Sequence, residues 1–332
     1  MLISFIILSY NSCKTIEKAV QSIINQSDYD FEIIVCDGGS KDNTEDLLKK
    51  YGSVKFISCP IASPAAQSEF AIKQSAGEYI SFVDSDDYIS PLYCKEVFPI
   101  LKKVNPDIFT FNFFIESGGK VKKYREKRQL KSGFYCGDKY NNIINNVYKN
   151  IGSISRCSKI VKREIAEKVC DYYNSSIQSL MWEDTFYTYP LFLMASNVYV
   201  SDFYLYYYVM NSSSITHTIK YDLEVLNVLD NIFNQHLSIF TSFNKNELSK
   251  QILTFPLLTI LTLMKSKALE LDSISFKAFS KDVLKSNIGR RVDNNDVETT
   301  NYSLLDKIYV FMFVKHMFGA FRFLYRIQSK IL

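Results

Sequence analysis

Short runs of β-branched and other apolar residues alternate with amphipathic stretches through the first hundred positions of the chain. The runs lie at 3–8, 33–36, 54–58 and 79–83. Between the first two, residues 15–26 place Ile16, Ala19, Val20, Ile23 and Ile24 on one helical face. Asn43 or Thr44 can cap a second helix that carries Leu47, Leu48 and Tyr51. Near-continuous apolar strands separated by helices predict a mostly parallel, Rossmann-like central sheet covered on both faces, an α/β half of the nucleotide-binding kind.

A further strand is expected at 107–115, followed by a turn at Gly118-Gly119. Periodicity then becomes mixed, with helices expected near 162–168 and at 184–195 and a strand pair around 198–209. Beyond Tyr221 the pattern is helical, including 222–240 and 245–271, the latter kinked or broken at Pro256. Residues 308–327 interleave aromatics with Lys315, Arg322 and Arg326, which suits an interfacial membrane helix and equally a terminal helix packed on the protein. The expected organisation is a catalytic domain at 1–217, in halves 1–116 and 117–217, and a helical C-terminal extension at 218–332. No internal repeat or low-complexity linker interrupts it.

With 332 residues, 47% of them hydrophobic, the chain can bury a large core without external staples. Its seven cysteines are odd in number, mostly single within apolar runs, and form no C-x-x-C pair, which predicts reduced thiols in a cytoplasmic protein rather than disulfides or a zinc site. The first apolar run is too short for a signal peptide or a membrane span and reads as a buried strand. The net charge of +4 hides an uneven distribution. Residues 1–116 carry 10 Lys+Arg against 16 Asp+Glu, and residues 117–170 carry 14 against 4. An acidic half suits a divalent cation and a basic segment suits phosphate, although Lys120, Lys122, Lys123, Arg125, Lys127, Arg128 and Lys131 also read as a solvated hairpin. No nucleic-acid motif accompanies these charges, so nucleic acid is not an expected partner.

The sharpest chemical feature is Asp84-Ser85-Asp86-Asp87, set directly after the apolar run at 79–83. Ligands of open parallel sheets bind beyond the carboxyl ends of the strands, where these carboxylates would project. Three carboxylates so close repel one another unless a cation or hydrogen-bond donors compensate them. Mg²⁺ or Mn²⁺ takes one or two carboxylates and completes its shell with substrate phosphate oxygens. The same four residues read equally well as a helix cap before Pro91. Two other strands end in polar residues at the same edge, one in Ser9-Tyr10-Asn11 and one in Asp37-Gly38-Gly39-Ser40. Asp37 could accept from a base or ribose, or simply close a turn, and the glycines allow close backbone approach. Neither glycine belongs to a dinucleotide or P-loop fingerprint.

The blocks S-F-I-I-L-S-Y-N, E-I-I-V-C-D-G-G-S-K-D-N-T and G-E-Y-I-S-F-V-D-S-D-D, in this order and spacing, resemble the family 2 glycosyltransferases of bacterial polysaccharide synthesis. The resemblance covers about residues 3–92 and continues more weakly to about 217. It implies a GT-A fold, a UDP-sugar donor and inversion at the anomeric carbon. It further implies that Ser9, Tyr10 and Asn11 border the nucleotide, that Asp37 with Gly38 meets the uracil, that Asp84 and Ser85 hold the ribose side, and that Asp86 ligates Mn²⁺ or Mg²⁺. Asp87 is left as the cap of the following helix. Trp182-Glu183-Asp184 is similar to the element whose Asp is the catalytic base, which implies that role for Asp184. His217 follows a stretch similar to the loop over the donor diphosphate and is implied as a further metal ligand. Lys159 stands where relatives carry a Lys that could touch acceptor or phosphate, or else opens a surface helix.

The chain departs from the family pattern at Gly38, at Ser68-Glu69 in place of Arg-Asn, and at Val209-Met210 where an Arg is frequent. Phosphate neutralisation then falls to the metal and to Lys159 or Arg156. The expected reaction is hexosyl or N-acetylhexosaminyl transfer to a cell-surface glycan of the capsule or O-antigen kind, on a lipid-diphosphate carrier at the inner membrane face. Peripheral membrane contact would come through the basic segment or the C-terminal helix. The alternatives are a sugar-nucleotide-forming nucleotidyltransferase and a non-catalytic carbohydrate-binding protein on the same scaffold.

Overall fold

The structure, a computed structural model, describes residues 2–26, 28–61, 63–124, 130–144, 155–171, 183–211, 223–244, 253–294 and 303–331. Two compact units divide the chain, Met1–Thr218 and Ile219–Leu332.

The first unit begins with four parallel strands, β1 (Ile3–Ser9), β2 (Phe31–Asp37), β3 (Val54–Ser58) and β4 (Tyr79–Asp84), in the spatial order β3-β2-β1-β4. Ile3, Phe5, Ile6 and Ile7 of β1 are fully buried. Each such side chain contributes about 1.5–3 kcal/mol, which makes β1 the anchor of the core. Helices α1 (Ile16–Ile24), α2 (Thr44–Leu48) and α3 (Pro64–Lys73) connect the strands. Helix α1 buries Ile16, Ala19, Val20 and Ile23, the face its spacing predicts. Register levels the strand ends, because Ser9 pairs with Asp37 and Leu8 with Asp84.

After β4 come β5 (Tyr88–Ile89), α4 (Tyr93–Val104), β6 (Ile108–Ser117), β7 (Lys120–Tyr124), β8 (Gly133–Cys136) and α5 (Gly137–Ile144). A 3₁₀ turn at Arg156–Ser158 leads into β9 (Lys159–Lys162), α6 (Arg163–Cys170), α7 (Glu183–Met194) and β10 (Asn197–Val209). The sheet continues as β4-β9-β6-β10-β5, with β9 antiparallel to both neighbours, so this half is mixed rather than parallel. Gly118 and Gly119 adopt φ of +55° and +74° and close the two-residue β6–β7 hairpin, a turn that needs positive φ at both central positions. Strand β7 is exposed throughout, so Lys120, Lys122 and Lys123 are a solvated hairpin, while Arg125, Lys127 and Arg128 lie outside the described residues. The expected strand pair at 198–209 is instead one strand of 13 residues whose register against β6 shifts twice around Tyr204. Such bulges break the alternation that a continuous strand would show.

The second unit is helical among its described residues: α8 (Glu224–Ser242), α9 (Thr254–Glu270), α10 (Ser273–Lys285), α11 (Asn287–Asp293), α12 (Leu304–Val314) and α13 (Phe318–Ile331). Helix α9 begins at Thr254 and carries Pro256 in its first turn, where a missing N–H costs little, rather than being kinked there. The single helix expected at 308–327 is two helices, separated at His316, whose φ of +54° breaks the path. No described helix is long and apolar enough to cross a membrane. All seven cysteines are free; five are buried, Cys13 is half-buried and Cys136 is exposed.

Candidate active site

The carboxyl ends of β1, β2 and β4 bring three predicted segments together. Asp37 is buried, and its carboxylate closes the turn after β2, accepting from the Gly39 and Ser40 N–H groups at 2.9 and 2.8 Å and from the Ser40 hydroxyl. The turn-closing role is therefore realised. Asn11, at φ +50°, donates its N–H to Ser40 Oγ at 2.7 Å and accepts from the Lys41 N–H through Oδ1. It thereby joins the first loop to the second. Tyr10 beside it is 60% exposed, with its ring free to meet a flat partner. Gly38 is closely approached by a side chain: a Cβ there would stand 3.0 Å from Gln67 Nε2, which donates to the carbonyls of Ser9 and Cys36. The Ser9 hydroxyl is buried with no hydrogen-bond partner among the described residues. A buried hydroxyl in that state marks a place where a ligand can be received.

The acidic turn is joined to this edge by Ser12 Oγ and Ser85 Oγ, 2.9 Å apart. Asp87 does not cap a helix. It is buried, takes the Tyr206 hydroxyl on Oδ2 and the Val209 N–H on Oδ1, both at 2.7 Å, and so ties β10 to the turn. The Tyr206 hydroxyl also accepts the Asp84 N–H at 3.0 Å. Burial pushes Asp87 above the usual carboxylate range, the charge on Asp84 adds to this, and the donors from Val209 and Tyr206 oppose it. Burial likewise raises Asp84, with Asp184 and Asp86 adding and Arg156 and the Cys157 thiol opposing. Asp86 is raised by burial too.

Asp184 stands in the first turn of α7, with Oδ1 3.0 Å from Arg156 Nε. Arg156 is buried, donates to Ser68 Oγ, and lies over the Phe82 ring with its guanidinium carbon 5.3 Å from the centroid. A guanidinium thus touches Ser68, where the family more often has an Arg. Lys159 does not open a surface helix. It is buried at the start of β9, and its ammonium donates to the Ser155 carbonyl at 2.6 Å and to Ser158 Oγ, which steadies the turn that presents Arg156. Trp182 and His217 lie outside the described residues.

Asp84 and Asp86 suit a hard divalent ion. Both are half-buried, both are raised by burial, and neither forms an ion pair with a described Lys or Arg within 4 Å. Among the described residues no three His, Cys, Asp or Glu side chains form a metal cage. One or two carboxylates completed by substrate oxygens is the arrangement Mg²⁺ favours. Tyr206, Gln67 and Ser12 are site-shaping residues that sequence reasoning missed. Neither Gln67 nor Tyr206 leaves a local signal, because the partners of each are distant in the chain.

Residues 4–170 match the glycosyl transferase family 2. Over 260 residues the chain is 25% identical to a cholesterol galactosyltransferase of Borreliella burgdorferi, covering 73% of this chain and 72% of that protein. A poly(ribitol-phosphate) beta-glucosyltransferase of Bacillus spizizenii is 31% identical over 229 residues, 67% of this chain but only 34% of the relative's length. Among solved structures, residues 1–349 of S. aureus TarS in complex with UDP-GlcNAc share the fold, with a TM-score of 0.68 and 20% identity over 99% of this chain and 92% of that one. The fold is accordingly GT-A with added C-terminal helices, and the nucleotidyltransferase and non-catalytic alternatives fall away. The edge shared by β1, β2 and β4 belongs to an enzyme: this chain is a member of the family 2 glycosyltransferases.

Proposed function

We propose that the enzyme transfers a hexose or N-acetylhexosamine from a UDP-sugar, with inversion, to a growing cell-surface glycan of the capsule or O-antigen kind. The observation that supports this reading is the meeting of two carboxylate sets at one guanidinium: Arg156 Nε stands 3.0 Å from Asp184 Oδ1, and the same charge lowers Asp84 at the end of β4, which Asp184 and Asp86 raise. A base and a diphosphate site must be neighbours for one displacement to use both. Ser9, Tyr10, Asn11, Asp37 and Gly38 would receive the nucleoside, Asp84 and Ser85 the ribose side, and Asp86 with His217 a Mn²⁺ or Mg²⁺ ion. That ion would supply positive charge to the departing diphosphate. The TarS complex with UDP-GlcNAc supports a UDP-sugar donor by its shared fold.

In the reaction an acceptor hydroxyl attacks the anomeric carbon from the face opposite the diphosphate. The new C–O bond forms as the bond from that carbon to the diphosphate oxygen breaks. UDP leaves with the electron pair, and the hydroxyl proton passes to Asp184. An acceptor carried on a lipid diphosphate would bring the enzyme to the cytoplasmic face of the cell membrane. The C-terminal helices suit that setting: Leu304, Phe311 and Phe323 are 78%, 55% and 69% exposed, among Lys307, Lys315, Arg326 and Lys330.

A panel of UDP-glucose, UDP-galactose and their N-acetylated forms, read by UDP release, identifies the donor. Asp184→Asn should then keep UDP binding and lose transfer by about 10²–10⁴-fold, while Asp86→Ala should weaken metal-dependent UDP binding. Transfer at the normal rate by Asp184→Asn would refute the base assignment.

A further inference from the structure

Among the described residues only two Lys or Arg side chains are buried, Arg156 and Lys159. Lys159 donates its ammonium to the Ser155 carbonyl and to Ser158 Oγ within its own turn. Arg156 reaches away from that turn. Its Nη1 donates to Ser68 Oγ on α3, its plane covers Phe82 on β4, and its Nε stands 3.0 Å from Asp184 Oδ1 on α7. One guanidinium thereby connects three elements at the place where α7 begins. Burying an unpaired cation costs several kcal/mol, so a buried Arg held by a hydroxyl, a ring and a carboxylate is fixed in direction.

The contact with Asp184 is single-sided. Asp184 Oδ1 lies within ion-pair distance of Nε but without hydrogen-bond alignment to any described residue. A bidentate pair would occupy both carboxylate oxygens and make the group a poor proton acceptor. A one-oxygen contact aims the carboxylate and leaves the second oxygen for another hydroxyl. Three residues along the same face of α7, Tyr187 packs edge-on against Phe82 with ring centroids 5.4 Å apart. Arg156 and the first turns of α7 thus meet at the Phe82 ring.

We propose that Arg156 is a positioning residue for the base: it holds Asp184 by Oδ1 so that Oδ2 faces the acceptor hydroxyl, and it serves Asp184 rather than the donor's phosphates. This rests on the reading of Asp184 as the base. A misplacement of about 1 Å at a reacting group can cost about 10²-fold in rate.

The test uses the full chain, Mn²⁺, and whichever UDP-sugar of the panel turns over, with UDP release to water as the reaction. Arg156→Ala should lower kcat about 10- to 100-fold, with UDP affinity by calorimetry and donor KM within about twofold of the parent. Millimolar guanidinium should restore part of the rate to Arg156→Ala and none to the parent. In an Asp184→Asn background, Arg156→Ala should cost nothing more, because the group it aims is gone. If Arg156→Ala does not fold, Arg156→Lys carries the same comparison, since the ammonium keeps the charge and loses the fixed fork. Weakened UDP binding with kcat retained, or losses that multiply with those of Asp184→Asn, would overturn the proposal. An active Asp184→Asn would instead sink the base reading, whatever Arg156→Ala does.

Discussion

Tyr206 and Asp87 stand 119 positions apart in the chain and share a hydrogen bond of 2.7 Å beneath the acidic turn. The same hydroxyl accepts the Asp84 N–H, so one phenol sets both the backbone at Asp84 and the Asp87 side chain of the same turn. Tyr206→Phe removes a donor to a buried carboxylate and leaves a buried N–H without its acceptor. The expected loss is about 1–3 kcal/mol in urea unfolding, together with weaker metal-dependent UDP binding as the turn loosens. An unchanged unfolding midpoint would show that the turn is held by other contacts.

Protons should compete with divalent ions at this turn. Burial raises Asp84, Asp86 and Asp87, so the folded chain keeps protons on them that the unfolded chain has already lost. Wherever the folded state binds more protons, stability falls as pH rises, here from about 4 upward through the raised values. Metal-free protein should therefore melt lower at pH 8 than at pH 5.5. Mn²⁺, which needs the ionised carboxylates, should raise the melting temperature more at pH 8. Melts in EDTA and in Mn²⁺ across this range check both signs, and an equal Mn²⁺ effect at the two pH values would contradict the competition.

Asp42 should behave in the opposite sense. Burial works against its ionisation, but hydrogen bonds from Thr44 and Cys13 outweigh this and hold the group at about 2. A carboxylate depressed in the folded state contributes stability that is present above its unfolded value and lost as pH falls through the folded one. Asp42→Asn should flatten the stability curve between about pH 4 and 2 relative to the parent. Acid titration followed by circular dichroism reads this directly.

What could be seen in the sequence follows from how locally each feature is determined. Strands β1, β2 and β4 were legible because both faces of each are buried, so their apolar runs are unbroken, and register then levels Ser9, Asp37 and Asp84. Asp87 reads as a cap in the sequence because its partners, Tyr206 and Val209, are distant in the chain and leave no local mark. Lys159 looked like a surface helix start because β9 has four residues, too few to show alternation, and is inserted antiparallel between β4 and β6. In the sequence Arg156 reads only as a spare cation. Its contacts with Ser68 and Asp184 come from elements that meet only in the folded chain.

Gly77 tests the packing that carries β4 past β1. A Cβ there would lie 2.6 Å from Ser4 N and 2.8 Å from the Ile3 carbonyl carbon, and backbone cannot move aside as a flexible side chain can. The Gly77 N–H also donates to Ser4 Oγ at 2.8 Å. Gly77→Ala should cost about 1–3 kcal/mol, the range for overpacking a core. Gly52→Ala, where nothing lies within 4 Å of the added methyl, is the control and should be nearly neutral. A loss at Gly52 as large as that at Gly77 would mean that steric closeness is not the cause.

The exposed faces of α12 and α13 make the last prediction. On α12, Leu304, Lys307, Ile308 and Phe311 recur at helical spacing on the solvent side; on α13, Phe323, Arg326, Ile327 and Lys330 do the same. Asp306 is the acid of these two helices, and it is half-buried and paired with Lys265. An apolar stripe flanked by cations and free of exposed carboxylates complements an anionic bilayer surface, where each Lys or Arg adds about 1 kcal/mol. The full chain should float with phosphatidylglycerol-containing vesicles and not with phosphatidylcholine alone. Lys315→Ala with Arg326→Ala should lower partitioning about 30-fold, and Phe311→Ser with Phe323→Ser should abolish it, while UDP release to water stays at the parent rate. Self-association on light scattering with no vesicle binding would assign these stripes to a second copy of the chain instead.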